Sequence, residues 1–220
     1  ISELLADCAN GADSVVTFLG AGRTDVVGKR FAEELKFGDR RWGNFFYKLA
    51  PKASFQSRLR SNEPLARKTT LRVGGEAELY FEPSSIDELQ VALRFCHEAG
   101  IPVYPLGRGS NLIVPDEGVS GMVIRLSHTA WKSLEDLGDG KIRLGAGMRI
   151  KELCGIACRK GLEGFEFLEG IPGSVGGALR MNAGAMGGWM FDVVESVRFA
   201  TLDGNVIEAS SAELEVGYRH

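Results

Sequence analysis

Backbone and side-chain donors first concentrate at Leu106-Gly107-Arg108-Gly109-Ser110-Asn111-Leu112. Two glycines allow successive N–H groups to turn into one concavity, a nest suited to an anion such as a pyrophosphate. Ser110 and Asn111 add side-chain donors, and Arg108 adds a cation. A plain tight turn between two strands is the competing reading. A second stretch, residues 170–188, reads GIPGSVGGALRMNAGAMGG, and Arg180 is its one charged residue. Seven of its nineteen residues are glycine, which is costly to order and usually marks unusual backbone or close approach. Ile171-Pro172-Gly173 predicts a turn, and Ser174 predicts the cap of a helix over residues 175–181 whose exposed N–H groups face a ligand. The alternative is close helix–sheet packing through the glycines. No Gly-Lys-Ser/Thr follows, so P-loop phosphoryl chemistry is excluded. Two backbone-rich loops, each with one arginine and no acid, in one domain suit a large, flat, partly anionic cofactor. A flavin dinucleotide fits, with its pyrophosphate on one loop and its ring system along the other.

These loops need a scaffold. Residues 77–81 alternate as a strand that Pro83 ends, and residues 84–100 read as a helix. Ser84 or Ser85 caps it, Asp87 and Glu88 fill its first turn, and Gly100 ends it. Leu89, Ala92, Leu93 and Cys96 give it an apolar face. Short strands follow at 101–106, after the first loop at about 112–114, at 121–126 and at 141–144. A helix over 150–160 ends at Gly161, and residues 191–200 and 205–209 read as a hairpin around Leu202-Asp203-Gly204. Mixed short elements point to α+β rather than a doubly wound sheet. Nearer the start, residues 13–19 predict a strand and a glycine turn into a helix. Gly20-Ala21-Gly22 lacks a third glycine at dinucleotide spacing, so a plain βα unit stands beside a cofactor site as the reading there. Residues 36–63 show no clean period and read as a linker or irregular arm.

The 220 residues allow one large domain or two modest ones. A net charge of −3 leaves no electrostatic footprint for nucleic acid, and no apolar run is long enough for a bilayer. Residue 1 is isoleucine and no signal pattern follows, so the numbering is expected to start inside a longer polypeptide. Cys8, Cys96, Cys154 and Cys158 show no zinc-site spacing with His97 or His128. Free thiols in a reducing cytoplasm, with no metal, are the expectation.

Taken in order, several short runs resemble one family. They are Thr69-Thr70-Leu71-Arg72-Val73-Gly74-Gly75, Pro105 through Leu112, Gly161-Leu162-Glu163-Gly164, Gly170 through Ala178, Met181-Asn182-Ala183-Gly184 and Gly217-Tyr218-Arg219. The resemblance is to the UDP-N-acetylenolpyruvoylglucosamine reductases, the MurB family, from about Asn62 to the last residue. It implies the FAD-binding fold of the vanillyl-alcohol-oxidase type, in two subdomains at 62–127 and 128–220, with the family's substrate domain missing from this chain. It also implies non-covalent FAD, NADPH as co-substrate, and reduction of the enolpyruvyl UDP-sugar to UDP-N-acetylmuramate for peptidoglycan. Carried over by position, Gly107, Arg108, Gly109, Ser110 and Asn111 match the pyrophosphate loop. Ile171, Pro172, Gly173 and Ser174 match the flavin-facing turn, with Gly177 and Gly184 beyond it. Arg219 matches the family's catalytic arginine. A planar guanidinium suits an enolpyruvyl carboxylate and the enolate-like charge that hydride addition creates. Read without the family, Arg219 is a solvated arginine near a chain end.

The family's proton-donating serine and catalytic glutamate lie beyond residue 220, which implies that these residues alone do not complete turnover. Met186 stands where the family often has an aromatic residue. Residues 4–35, with ADSVVTFLGAG at 12–22, resemble the C-terminal end of UDP-N-acetylmuramate–L-alanine ligase, which implies a covalent fusion joined by a linker at 36–61. Expected partners are therefore a UDP-sugar and the fused ligase, with no nucleic acid and no membrane. Another FAD oxidoreductase of the same fold, or a catalytically incomplete FAD-binding module, remains the alternative.

Overall fold

The computed structural model describes residues 58–217. Several of the sequence expectations therefore lie outside the described residues: the strand–turn–helix at 13–35, the ligase-like run at 4–35, the linker up to residue 57, Cys8, Tyr218 and Arg219. Among the described residues no helix is long and apolar enough to cross a membrane.

A four-stranded sheet comes first among the described residues. Strand β1 (Arg58–Pro64) pairs antiparallel with β2 (Glu76–Glu82), and β2 runs parallel to β4 (Val119–Ile124). Strand β3 (Val103–Pro105) joins the other edge of β4, also parallel, giving the order β1-β2-β4-β3. The crossover from β2 to β3 is helix α1 (Ile86–Glu98). Ser85 caps it, accepting from the Glu88 N–H, while the Glu88 carboxylate reaches back to the Ser84 N–H at 2.7 Å. Both serines thus serve the helix start, which the sequence left as a choice between them.

Strand β1 corrects one boundary, since its residues 58–63 read from sequence as the end of an irregular arm. Strand β2 corrects another reading. Residues 77–81 do not alternate, because Leu79, Tyr80 and Phe81 are all buried. A central strand paired on both edges and covered on both faces has no solvent side on which to place polar residues. The β2–β4 register shifts between Ala77 and Leu79. There the Glu78 carboxylate accepts from the Gly121 N–H at 2.8 Å and from the Ser120 hydroxyl at 3.0 Å.

The expected strand after the first glycine loop does not form. Residues 109–118 bond instead to residues 65–76. The Thr70 N–H donates to the Gly109 carbonyl at 3.0 Å and the Gly75 N–H to the Pro115 carbonyl at 2.9 Å. Ile113 is consequently 78% exposed, which a core strand would not allow.

The remaining elements are small. Hairpin β5 (Leu134–Gly138) and β6 (Lys141–Leu144) precedes helix α2 (Ile150–Lys160), which ends at left-handed Gly161. Helix α3 (Val175–Arg180) is followed by the two-residue strands β7 (Gly184–Ala185) and β8 (Gly188–Trp189). Strands β9 (Ser196–Ala200) and β10 (Val206–Ser210) form the last hairpin. Its first strand is shorter than expected, since residues 190–192 make a single 3-10 turn. Strand β6 lies where the sequence places a strand, at 141–144, while its hairpin partner β5 is not among the expected strands. Strand β5 is exposed along its whole length, so it carries no apolar period, but the Asp139-Gly140 pair at its turn is a recognisable hairpin signal.

Two apolar clusters lie among the described residues. One joins Leu65, Ala77, Tyr80, Leu106 and Val123. The other joins Met148, Ile150, Leu153, Leu168, Val175, Ala178 and Met190. Burial of this kind, at roughly 25 cal/mol per Å² of apolar surface, is the dominant favourable term.

Candidate functional site

The two glycine loops meet. The Ser110 hydroxyl donates to the Pro172 carbonyl at 3.0 Å, across 62 residues of sequence. A Cβ built on Gly107 would stand 3.1 Å from the Ser174 hydroxyl, and one on Gly173 would stand 3.7 Å from the Ser110 hydroxyl. A third segment, which sequence reasoning left without a role in the site, lies against them. Thr70 bonds to Gly109, and a Cβ on Gly109 would stand 2.7 Å from both the Lys68 carbonyl and the Thr69 Cα. Gly109 also has φ +66°, so both its space and its conformation exclude a side chain.

The first loop has the makings of an anion cradle. Among the described residues, the N–H groups of Gly107, Arg108, Gly109, Ser110 and Asn111 donate to no protein acceptor. Arg108 is exposed, and no described carboxylate pairs with it. Five unengaged donors and a free cation fit a pyrophosphate, whose oxygens can satisfy donors that the fold leaves open. Ser110 takes a different part from the one its hydroxyl suggested. Its single proton goes to Pro172, so its side chain fastens the loops together while its backbone N–H faces the cradle.

The second loop corrects an expectation. The first N–H groups of α3 are not open to a ligand. Val175 donates to the Met148 carbonyl and Gly176 to the Ala146 carbonyl, both at 2.9 Å, and Gly177 donates to the Ser174 hydroxyl at 3.4 Å. Three consecutive donors are spent holding α3 against the segment 146–149. The glycines make that approach close, since a Cβ on Gly176 would stand 3.0 Å from the Ala146 Cβ. Gly177 differs, since a Cβ there would meet only the Ser174 hydroxyl, at an ordinary 3.4 Å. Gly184 makes room for a neighbour inside the chain, because its Cβ would fall 2.4 Å from the Trp189 ring. Close packing through glycine, the alternative reading, therefore accounts for Gly176 and Gly184. In the turn itself, Ile171 packs on the second apolar cluster and Gly173 has φ +152°. Among the described residues the N–H groups of Gly173 and Ser174 remain unengaged. They are the part of this stretch open to a ring system. Arg219 lies just beyond the last described residue.

Met186, at the tip between β7 and β8, is 88% exposed with φ +53°, followed by Gly187 at φ +86°. Two left-handed residues close a two-residue hairpin, so the position is set by turn geometry. Beneath the first loop, Tyr80 is fully buried and its hydroxyl donates to the Glu82 carboxylate at 2.9 Å. Burial first, and then the adjacent carboxylate, push the Tyr80 phenol well above its ordinary range.

The family model for the FAD binding domain matches residues 77–210. A UDP-N-acetylenolpyruvoylglucosamine reductase of Pelobacter propionicus is 48% identical over 162 residues, 74% of this chain and 54% of that protein. The crystal structure of UDP-N-acetylenolpyruvylglucosamine reductase (MurB) from Thermus caldophilus is 39% identical with a TM-score of 0.61, over 74% of this chain and 56% of that one. The 6-hydroxy-D-nicotine oxidase of Arthrobacter nicotinovorans is 18% identical with a TM-score of 0.53, over 73% of this chain and 37% of its own, a likeness of fold alone. The chain spans about half the length of the curated relatives it matches. The α+β architecture, the paired glycine loops and these matches together place the chain in the FAD binding domain family.

Proposed function

We propose that the chain is the FAD-binding portion of an NADPH-dependent reductase that converts the enolpyruvyl UDP-sugar to UDP-N-acetylmuramate. The observation that carries this is the open cradle at residues 107–111, latched by Ser110 to the turn at Pro172. Support comes from relatives named for that reaction at 38–48% identity. FAD, when bound, supplies two-electron redox chemistry between NADPH and the enolpyruvyl alkene.

The chain's own residues do the rest. The N–H groups of residues 107–111 and the Arg108 guanidinium hold the pyrophosphate charge. The backbone of Gly173 and Ser174 supplies donors and leaves a wall without bulk. Arg219 pairs with the substrate carboxylate and stabilises negative charge that develops on it during reduction. The UDP-sugar is the small-molecule partner, and the setting is cytoplasmic peptidoglycan synthesis.

Two measurements test this. The purified chain is titrated with FAD while its visible spectrum and flavin fluorescence are recorded; resolved, shifted flavin bands are expected, and a chain that never takes up flavin refutes the reading. NADPH oxidation is then followed with and without enolpyruvyl-UDP-N-acetylglucosamine in the chain extended to the family's full length. Flavin uptake without substrate-dependent turnover would favour the second reading, a binding module, which the chain's half-length match to its relatives keeps in view.

A further inference from the structure

Thr69 is 8% exposed, and its hydroxyl is buried with no hydrogen-bond partner. An orphaned buried hydroxyl costs the folded state the free energy of its lost hydration, so it calls for an explanation. Its position supplies one. A Cβ on Gly109 would lie 2.7 Å from the Thr69 Cα and 3.1 Å from its methyl group. Thr69 therefore packs on the middle residue of the loop whose five N–H groups are unengaged. The adjacent Thr70 N–H, bonded to the Gly109 carbonyl at 3.0 Å, fixes that registry. The segment 69–75 is held at both ends, since the Leu65 N–H also donates to the Gly75 carbonyl at 3.0 Å. Thr69 is thus held against the anion cradle by its Cα and methyl group, and its hydroxyl, on the same side chain, is left without a protein partner.

We infer that Thr69 is a further ligand of the cofactor site, its hydroxyl donating to a phosphate oxygen of the dinucleotide that residues 107–111 cradle. The inference rests on the FAD reading above. A hydrogen bond to a charged acceptor is among the stronger kinds, and the fold has already ordered this donor. The sequence run containing Thr69 supports the family resemblance, but residue type alone does not distinguish Thr69, buried, from Thr70, exposed.

The test compares wild type, Thr69→Val and Thr69→Ser, each as the whole 220-residue chain. Valine keeps the shape and removes the hydroxyl; serine keeps the hydroxyl. Thermal midpoints are measured without ligand, and dissociation constants for FAD, ADP and riboflavin by fluorescence or calorimetry. The expected result has two opposite signs. Thr69→Val melts at or above the wild-type temperature without ligand, because an unsatisfied group is gone. It binds FAD and ADP roughly tenfold to a hundredfold more weakly. Riboflavin, which lacks phosphates, binds both alike, and Thr69→Ser binds FAD nearly as wild type does. Unchanged FAD and ADP affinity in Thr69→Val overturns the inference, as does an equal loss for riboflavin, which would make Thr69 a packing residue. A wild-type chain that takes ADP but not FAD refutes the flavin reading, while the ADP comparison still decides Thr69. A chain that takes neither overturns both.

Discussion

Three side chains carry most of the argument, and each is used differently from what its chemistry first suggests. Ser110 is a latch: its proton goes to the Pro172 carbonyl, so Ser110→Ala should separate the loops without touching either core. Its FAD dissociation constant should rise about tenfold, with folding stability in urea lower by no more than that one hydrogen bond contributes, about 0.5–1.5 kcal/mol. Tyr80 is a buried phenol held neutral beside Glu82. Its folded pKa is raised, so the stability it lends is complete below the ordinary tyrosine pKa of about 10 and drains away as pH climbs above that value. Urea midpoints at pH 8 and pH 10.5 should therefore fall further in wild type than in Tyr80→Phe. At pH 8 the variant should be weaker by about 1–3 kcal/mol for the lost bond. Cys96 is fully buried, and burial pushes its thiol up to about 12. Peptide mapping after brief alkylation of the native chain should find Cys158, which is exposed, modified and Cys96 intact.

Among the elements, α3 and the β7–β8 hairpin show where sequence reading succeeds and where it stops. Ser174 was legible as a cap because a short polar side chain followed by helix-compatible residues has few other uses. Ser174→Ala should cost about 1 kcal/mol in urea unfolding. What the glycines were for was not legible. The residue type reports that something comes close, and only the fold shows that the visitors at Gly176 and Gly184 are Ala146 and Trp189. Strand β5 and the missing strand after residue 111 failed for related reasons. Exposed strands lack a period, and in the apolar Leu112-Ile113-Val114 run the first two residues lie at the surface while only Val114 packs on a core cluster. The turn sets the left-handed backbone at Met186, but nothing in the structure explains the methionine. Because a left-handed non-glycine residue is strained by roughly 1–3 kcal/mol, and asparagine tolerates that region better, Met186→Asn should stabilise the chain measurably in the same assay.

At the scale of the molecule, the last hairpin is tied to the first helix. The Gly204 carbonyl accepts from the Gln90 amide at 2.9 Å, and a Cβ on Gly204 would fall 2.6 Å from the Arg94 Cγ. Gly204→Val should destabilise the whole unit by about 1–3 kcal/mol, read as one cooperative transition shifted in urea. Fold class was legible because helix caps, turn glycines and apolar runs are local. Which segments meet was not, because no local pattern encodes a contact between residues 62 positions apart. That distance has a temporal meaning. Residues 69, 109 and 172 must all have left the ribosome before the cradle and its wall can close on anything, so cofactor loading waits for synthesis to pass residue 172. A chain interrupted by a stop codon before residue 172 should emerge colourless however much flavin the cell contains.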